Sequence, residues 1–170
     1  MGRPRVLTPP VWLPRWGWAE TCVLGTVGAC LWALRPELTE VWRANDLALH
    51  ASLTRWVADR LSAGHLPFDG WFPYLSLGAA RFHHYQSLPH LLTGAATALL
   101  GTDRTFAWSS YLLLATWPAS VFVGARLLGL DRMESAAAAA VAPLVASTQS
   151  MGVQWETYVW RGFGAWAQLW

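Results

Sequence analysis

Asp46, His50 and Thr54 stand four residues apart and are the first side chains in the sequence whose types and spacing suit chemistry. Residues at this spacing share one face of a helix, so a carboxyl, an imidazole and a hydroxyl would form a polar row. A carboxyl group at a dry membrane surface can act as a general base, because desolvation raises its pKa. Simpler roles also fit. Asp46 could cap the helix. Asp46 and His50 could also bind a divalent metal; two ligands do not make a complete metal site, and this alternative is left open.

A second concentration of polar side chains follows between His65 and His90, in a segment whose prolines and glycines predict an irregular path. Arg81 in this segment can bind a phosphate group or face lipid headgroups. The aromatic residues Trp71 and Phe72 are expected to anchor the segment at the membrane interface. Further candidates, which also fit a role as plain interfacial polar groups, are Asp69, His83, His84 and Tyr85.

The polar row needs a helix to carry it, and the sequence predicts one from Asn45 to Gly64, with Pro67 beyond its end. Four apolar residues follow helical spacing and predict a stripe on this helix: Leu49, Leu53, Trp56 and Leu61. We expect the helix to lie along the membrane surface, with its polar row towards water.

The composition predicts an all-α integral membrane protein. Apolar residues make up 54% of the chain and charged residues 13%, against about 25% charged in soluble domains. Runs of about 20 mostly apolar residues predict spans, at about 16–34, 106–128 and 135–151, with a fourth that starts at 162 and is unfinished at 170. No basic run resembles a nucleic-acid-binding patch. Both cysteines are expected to be buried thiols: Cys22 and Cys30.

The arginines predict the orientation in the membrane. Three of them precede the first span and place the N-terminus in the cytoplasm: Arg3, Arg5 and Arg15. A secretory signal peptide has the same layout, but the later apolar runs fit an uncleaved anchor better. The run 88–101 reaches only about 21 Å as a helix, and a re-entrant or interfacial placement keeps Arg126 and Arg132 in the cytoplasm. Residues 35–104 then form a long outer loop, and residues 150–162 a second one.

Residues 1–170 are interpreted as a single N-terminal membrane module of a longer polypeptide, because the last apolar run is still continuing at Trp170. Such a module holds a candidate base but only part of a helical bundle. We therefore expect residues 1–170 alone to be catalytically inactive, with the rest of the same polypeptide as a partner.

The stretch from 45 to 94 resembles the first outer loop of bacterial membrane proteins of the GT-C type, most of all the multi-pass proteins labelled "6-pyruvoyl-tetrahydropterin synthase-related". The shared pattern is an Asp with a His four residues later, a helix ending in Gly-x-x-Pro, a Trp, and an aromatic segment with Tyr ahead of a Pro. This sequence has the pattern at Asp46, His50, Gly64, Pro67, Trp71, Phe82, His84, Tyr85 and Pro89. Residues 158–162 resemble a Tyr-x-x-Arg-Gly element of the same proteins, although Trp166 and Gln168 replace the acidic residue that follows it there. Nothing in the chain supports pterin chemistry.

This resemblance implies a GT-C-like multi-pass helical bundle in the bacterial plasma membrane, with the active site on the outer face. Such proteins transfer a sugar from a polyprenyl-phosphate carrier to an acceptor, and an acidic residue early in the first outer loop serves as the base or positions the acceptor. By position that catalytic residue is Asp46. The implied substrate-binding residues are His50, Arg81, His84, Tyr85 and Arg161. The two arginines are the candidates for the donor phosphate, and a divalent metal in their place is an alternative.

Two other classes fit the sequence as well. One is a transporter or lipid-binding membrane protein without catalysis, and the other is a subunit of a cell-envelope complex. Transporters usually place functional charges inside their spans, whereas this chain keeps most of its charges in the predicted loops. That distribution favours the enzyme, and the identities of the sugar and the acceptor are left open.

Overall fold

The computed structural model describes residues 17–39, 46–74, 77–83, 86–102, 104–144, 166–168 and 170. Within these ranges the chain is mostly helical and has no strand beyond one isolated bridge, so the prediction of an all-α chain is confirmed. The α-helices are α1 (Trp18–Ala33), α2 (Asp46–Ser62), α3 (Leu88–Leu100), α4 (Arg104–Leu127) and α5 (Arg132–Val141). Short 3-10 helices lie at Arg35–Leu38, Arg81–His83, Ala142–Leu144 and Trp166–Gln168.

Among the described residues, α4 is the one helix long and apolar enough to cross a membrane. Its 24 residues extend roughly 36 Å at 1.5 Å per residue. Pro118 lies inside the helix, and a proline there has no N–H group to donate to the preceding turn. The predicted span 106–128 therefore corresponds to α4.

The other predicted spans are matched only in part. α1 has 16 residues and α5 has 10, both below the about 20 that a span needs. After α5 the chain enters the 3-10 helix Ala142–Leu144, and the remainder of the predicted span, 145–151, lies outside the described residues. Of the run predicted to start a span at 162, the described part at 166–168 is a 3-10 helix. By length and composition, the described helices thus give one span where the sequence predicts several.

Helices α1, α4 and α5 pack against one another through small and medium apolar side chains. One cluster joins the end of α1 to α4: Cys30, Leu34, Tyr111, Leu114 and Ala115. A second joins the start of α1 to α5: Ala19, Val23, Ala136 and Ala139. The Tyr111 hydroxyl donates to the carbonyl of Leu31 at 2.8 Å, which ties α4 to α1 across the cluster. Cys30 is buried as expected, but the expectation for Cys22 is wrong, because this thiol is on an exposed face of α1.

Helices α2 and α3 form the second packed unit. α2 covers most of the helix predicted from 45 to 64, and α3 has 13 residues, about 20 Å at helical rise. The two helices lie close together at Gly94 of α3. A Cβ atom added there would lie 2.4 Å from Cγ1 of Val57 and 2.9 Å from the carbonyl oxygen of Thr54. Glycine at this position therefore permits the observed distance between the helices.

The expectation that the polar row of α2 faces water is wrong. His50 is 0% exposed and Thr54 is 2% exposed. The reason is that α3 packs on this side of α2, where its own His90 contacts His50. Because Leu53 and Val57 are also fully buried, α2 is covered over a much wider face than a helix lying on a membrane surface would be.

The segment between α2 and α3 turns back on itself at an isolated bridge. Phe72 N–H donates to the Ala79 carbonyl at 2.9 Å, and Ala79 N–H donates to the Phe72 carbonyl at 3.1 Å. Gly78, with φ of +87°, lies against the indole of Trp71. Phe72 is fully buried beside Trp56, so its expected role as an interface anchor is wrong. Trp71 is 62% exposed, and its role as an anchor at the membrane interface stays a prediction.

Candidate functional site

Two histidines meet at the contact between α2 and α3. His50 Nδ1 lies 2.9 Å from His90 Nε2, and both side chains are fully buried. Their rings are stacked, with centroids 5.2 Å apart and an angle of 27° between the planes. His50 lies on α2 and His90 lies on α3, so the packing of these two helices fixes the geometry of the pair. A hydrogen bond between side chains 40 residues apart is a tertiary feature of this part of the fold.

The backbone carbonyl of Gln86 decides which nitrogens carry hydrogens. His90 Nδ1 lies 2.8 Å from this oxygen, which can only accept, so the hydrogen is on Nδ1 of His90. In the neutral ring His90 Nε2 is then an acceptor, and His50 Nδ1 must be the donor to it. It follows that neutral His50 carries its hydrogen on Nδ1 and presents an unprotonated Nε2.

Aromatic rings enclose the histidine pair. The ring of Trp166 lies 5.5 Å from that of His50 and 5.2 Å from that of His90, centroid to centroid. Phe82 contacts His90 at 5.9 Å, and Phe106 of α4 contacts Trp166 at 4.9 Å. Burial lowers the pKa of His90 from 6.5 to about 4; the Gln86 carbonyl opposes this shift, and the proximity of His50 adds to it. His90 is therefore neutral at pH 7.

Two hydroxyl groups extend the polar contact along both helices. Thr54 of α2 and Thr93 of α3 are each 2% exposed, and their Oγ1 atoms have no hydrogen-bond partner within the described part of the chain. Thr97, one turn further along α3, donates its hydroxyl to the Thr93 carbonyl at 2.9 Å. A buried hydroxyl without a hydrogen-bond partner costs free energy, so the hydroxyl groups of Thr54 and Thr93 do not stabilise this contact.

The predicted site residues are described to different degrees. Asp46 is the first residue of α2, one turn before His50, and its side chain lies outside what the structure describes. Arg81 begins the short helix Arg81–His83 and is partly buried. Three predicted residues lie outside the described ranges: His84, Tyr85 and Arg161. The structure thus places His50 next to α3 and leaves the gathering of the remaining residues as a prediction.

Another pair of predicted polar residues lies on the surface. His83 Nε2 is 2.9 Å from Asp69 Oδ1, and the two side chains are 51% and 91% exposed. This contact joins two ends of the irregular segment. Exposed pairs of this kind contribute little to stability, typically below about 1 kcal/mol. Among the residues that the structure describes, no group of three or more His, Cys, Asp or Glu side chains is arranged to hold a metal ion.

The sequence interpretation did not single out His90, Thr93 or Trp166. A signal for the first two was present, because His90, Thr93 and Thr97 follow one another at spacings of three and four within an otherwise apolar run. This is the spacing of one helix face. No comparable signal exists for Trp166, whose contact with the histidines joins segments far apart in the chain.

No protein-family model, no curated protein and no solved structure matches this chain.

Proposed function

We propose that this chain belongs to a membrane glycosyltransferase of the GT-C type, which moves a sugar from a polyprenyl-phosphate donor to an acceptor on the outer face of a bacterial plasma membrane. The observation that carries the proposal is the position of Asp46 at the first turn of α2, one turn before the buried histidine contact. An acidic residue near the start of the first outer loop is what the sequence resemblance implies for the base. The helical architecture is compatible with it.

The distribution of exposed apolar side chains supports residence in a membrane. α4 is long and apolar enough to span, and Leu112, Val123 and Leu127 on it are exposed. At the ends of α1, Trp18 is 85% exposed and Trp32 is 67% exposed. Tryptophan favours the boundary between hydrocarbon and water, so these residues would lie at the level of the headgroups.

The turn after α2 would lie at the same level. Trp71, Tyr74 and Leu77 are 62%, 71% and 95% exposed, which is a large apolar surface for a loop to present to water. A lipid-linked donor carries its phosphate among the headgroups. A loop held there by apolar side chains would therefore be near the reacting bond.

The proposed reaction needs one base and one cation. The acceptor hydroxyl loses its proton to the Asp46 carboxylate while its oxygen attacks the anomeric carbon of the sugar. The bond from that carbon to the phosphate oxygen breaks, and the polyprenyl phosphate leaves with the electron pair. Arg81 and Arg161 are assigned to this phosphate, because guanidinium groups bind phosphate oxygens in bidentate fashion.

The experiment compares two substitutions on the same helix in the complete gene product. Asp46→Asn removes the base and keeps the size of the side chain, and it is expected to lower transfer from polyprenyl-phosphate sugars by about 10²- to 10⁴-fold. Asp59→Asn makes the same chemical change at an exposed position of α2 and is expected to leave the rate unchanged. Membrane insertion and helix content should be the same for both variants. Full transfer activity in Asp46→Asn would contradict the assignment of the base.

A further inference from the structure

We propose that α3 lies flat at the membrane surface with three of its leucine side chains against lipid acyl chains, and that α2 lies above α3 on the water side. The proposal concerns an interaction surface and its partner, which is a lipid bilayer. It does not depend on the glycosyltransferase activity proposed above.

One face of α3 is apolar and exposed. Leu88, Leu92 and Leu99 are 63%, 48% and 87% exposed. At 3.6 residues per turn, these side chains fall within about 40° of one another around the helix axis, and they extend along it for about 17 Å. The three leucines therefore form one continuous surface, which we call the leucine face. Contact of such a surface with water is unfavourable.

The opposite face of α3 holds its polar groups and its glycine. His90, Thr93, Gly94 and Thr97 are buried, and Gly94 lies against Val57 of α2. A helix at the surface of a water-soluble domain would direct its leucines inwards and its polar groups outwards. The orientation of α3 is the reverse. Small and hydroxyl-bearing residues between helices are typical of helix packing within lipid.

The charges of the helix pair lie on the far side of α2. α3 contains no Asp, Glu, Lys or Arg. His50 and Val57, which contact α3, lie on one side of α2. Four exposed positions fall within about 80° of one another on the opposite side. They form what we call the polar face of α2: Ser52, Arg55, Asp59 and Ser62.

The directions of the two helices favour a flat orientation in the membrane. His50 contacts His90 nearer the start of both helices, and Val57 approaches Gly94 further along both, so α2 and α3 run in the same direction. The polar face therefore follows the leucine face along the pair. An upright pair would carry the charges of the polar face into hydrocarbon, which is costly. A flat pair keeps these charges in water and buries the leucine face among acyl chains, as an interfacial helix does.

Lipid suits the leucine face better than another protein helix does. Contacts between helices in a membrane favour small residues, because these let the two backbones approach closely. In α3 the glycine faces α2, and large side chains form the outer surface. Residues 101–103 alone join α3 to α4, the helix that is long and apolar enough to cross a membrane. A bilayer around α4 is therefore within reach of the leucine face.

The first experiment measures what covers the leucine face. In the full-length protein with Cys22 and Cys30 replaced by alanine, Leu92→Cys and Leu99→Cys each receive one nitroxide spin label in lipid nanodiscs. Oxygen concentrates among acyl chains and a charged nickel chelate stays in water, so their relative effects on relaxation of the label report its surroundings. Oxygen should dominate at both positions. Ser52→Cys, on the polar face, is the matched control, and the chelate should dominate there.

Two results would overturn the proposal. Strong relaxation by the nickel chelate at positions 92 and 99 would mean that the leucine face lies in water. Weak relaxation by both reagents at these positions would mean that another protein segment covers it. Each result has the same meaning whether or not the protein transfers a sugar, so a failure of the proposed function is a separate outcome.

The second experiment leaves the leucine face unchanged, in case a spin label disturbs the fold. In protein labelled with ¹³C at the leucine methyl groups, Leu92 should show nuclear Overhauser effects to acyl-chain protons, and these should disappear when the lipid chains are deuterated. Leu53, which is fully buried in the same helix pair, should show none and is the internal control. Single Leu→Ile substitutions assign the two signals. Effects from water to Leu92, with none from lipid, would contradict the proposal.

Discussion

The histidine contact between α2 and α3 is stable only when its rings are largely neutral. Two imidazolium ions with nitrogens 2.9 Å apart would repel each other, and neither could donate to the other. The surrounding rings of Phe82 and Trp166 offer no opposite charge to either of them. The titration of His90 must therefore be coupled to folding, and the sign of the coupling follows from the direction of its pKa shift.

The free energy of unfolding is expected to fall as the pH falls from about 6.5 to about 4. The pKa of His90 is lowered from 6.5 to about 4 in the fold, so between these values the unfolded chain binds the proton and the folded chain does not. The stabilisation is complete above the unfolded pKa and is lost at lower pH, with a total of about 3 kcal/mol at 1.36 kcal/mol per unit. Denaturant titrations in detergent between pH 7.5 and 4 measure it.

The matched variant for this prediction is His90→Gln, which cannot titrate but can still accept from His50. Its stability should decline less between pH 7.5 and 4 than that of the wild type, and His65→Gln should follow the wild type. Parallel pH profiles for the wild type and His90→Gln would show that His90 does not carry the pH dependence.

The contact between α2 and α3 depends on one glycine. Gly94→Ala would place a methyl group 2.4 Å from Cγ1 of Val57 and 2.9 Å from the Thr54 carbonyl, and backbone cannot move aside as a flexible side chain can. We expect a destabilisation of about 1–3 kcal/mol, the usual cost of overpacking, together with a longer His50–His90 distance. Thermal unfolding measures the loss of stability. The ¹⁵N chemical shifts of the His50 ring, which depend on its hydrogen bond to His90, measure the change in the histidine contact.

Gly124→Ala is the control for this prediction, because no atom lies within 4 Å of a Cβ added to that glycine of α4. An alanine in open space on a helix should be neutral or stabilising by up to about 1 kcal/mol. Equal unfolding temperatures for Gly94→Ala and the wild type would mean that the two helices do not approach as closely as described.

Local signals in the sequence were sufficient for α2 and α4 but not for what covers them. Gly64 and Pro67 predicted the end of α2, and the apolar run predicted α4 within a few residues. The polar row was expected to face water because its spacing reveals a face of the helix and not the neighbour of that face. That neighbour, His90, is 40 residues further along the chain, and periodicity within one helix carries no information about it.

The site was predictable to a similar extent. His50 was found from its spacing to Asp46, and its burial follows from the packing of α3. Trp166 was expected to belong to an apolar run starting a span, whereas it fills the space beside both histidines and contacts Phe106 of α4. Such a contact depends on how the helices are arranged, which the type of a single residue does not specify.

The two packed units meet where α3 is followed by α4. Residues 101–103 alone separate these helices, so the level of α3 in a membrane is set by the end of α4. If α4 crosses the membrane and α3 does not, as we propose, α2, α3 and the turn at Leu77 lie on one side and the start of α5 lies on the other. The positive-inside rule then predicts that Arg126 and Arg132 lie on the cytoplasmic side.

This arrangement predicts a difference in labelling between two exposed positions. In a chain with Cys22 and Cys30 replaced by alanine, Leu77→Cys and Met133→Cys introduce single thiols at sites that are 95% and 59% exposed. A membrane-impermeant maleimide should label intact cells at position 77 and should label position 133 only after permeabilisation. The reason is that α4 alone separates the two positions by a membrane crossing, since a helix of 13 residues falls short of about 20. Labelling of both thiols in intact cells would mean that α3 and α4 both cross or that neither does. Labelling of position 133 alone would reverse the orientation and place Asp46 on the cytoplasmic side. A base on that side could not serve a sugar transfer at the outer face, so this result would contradict the proposed function.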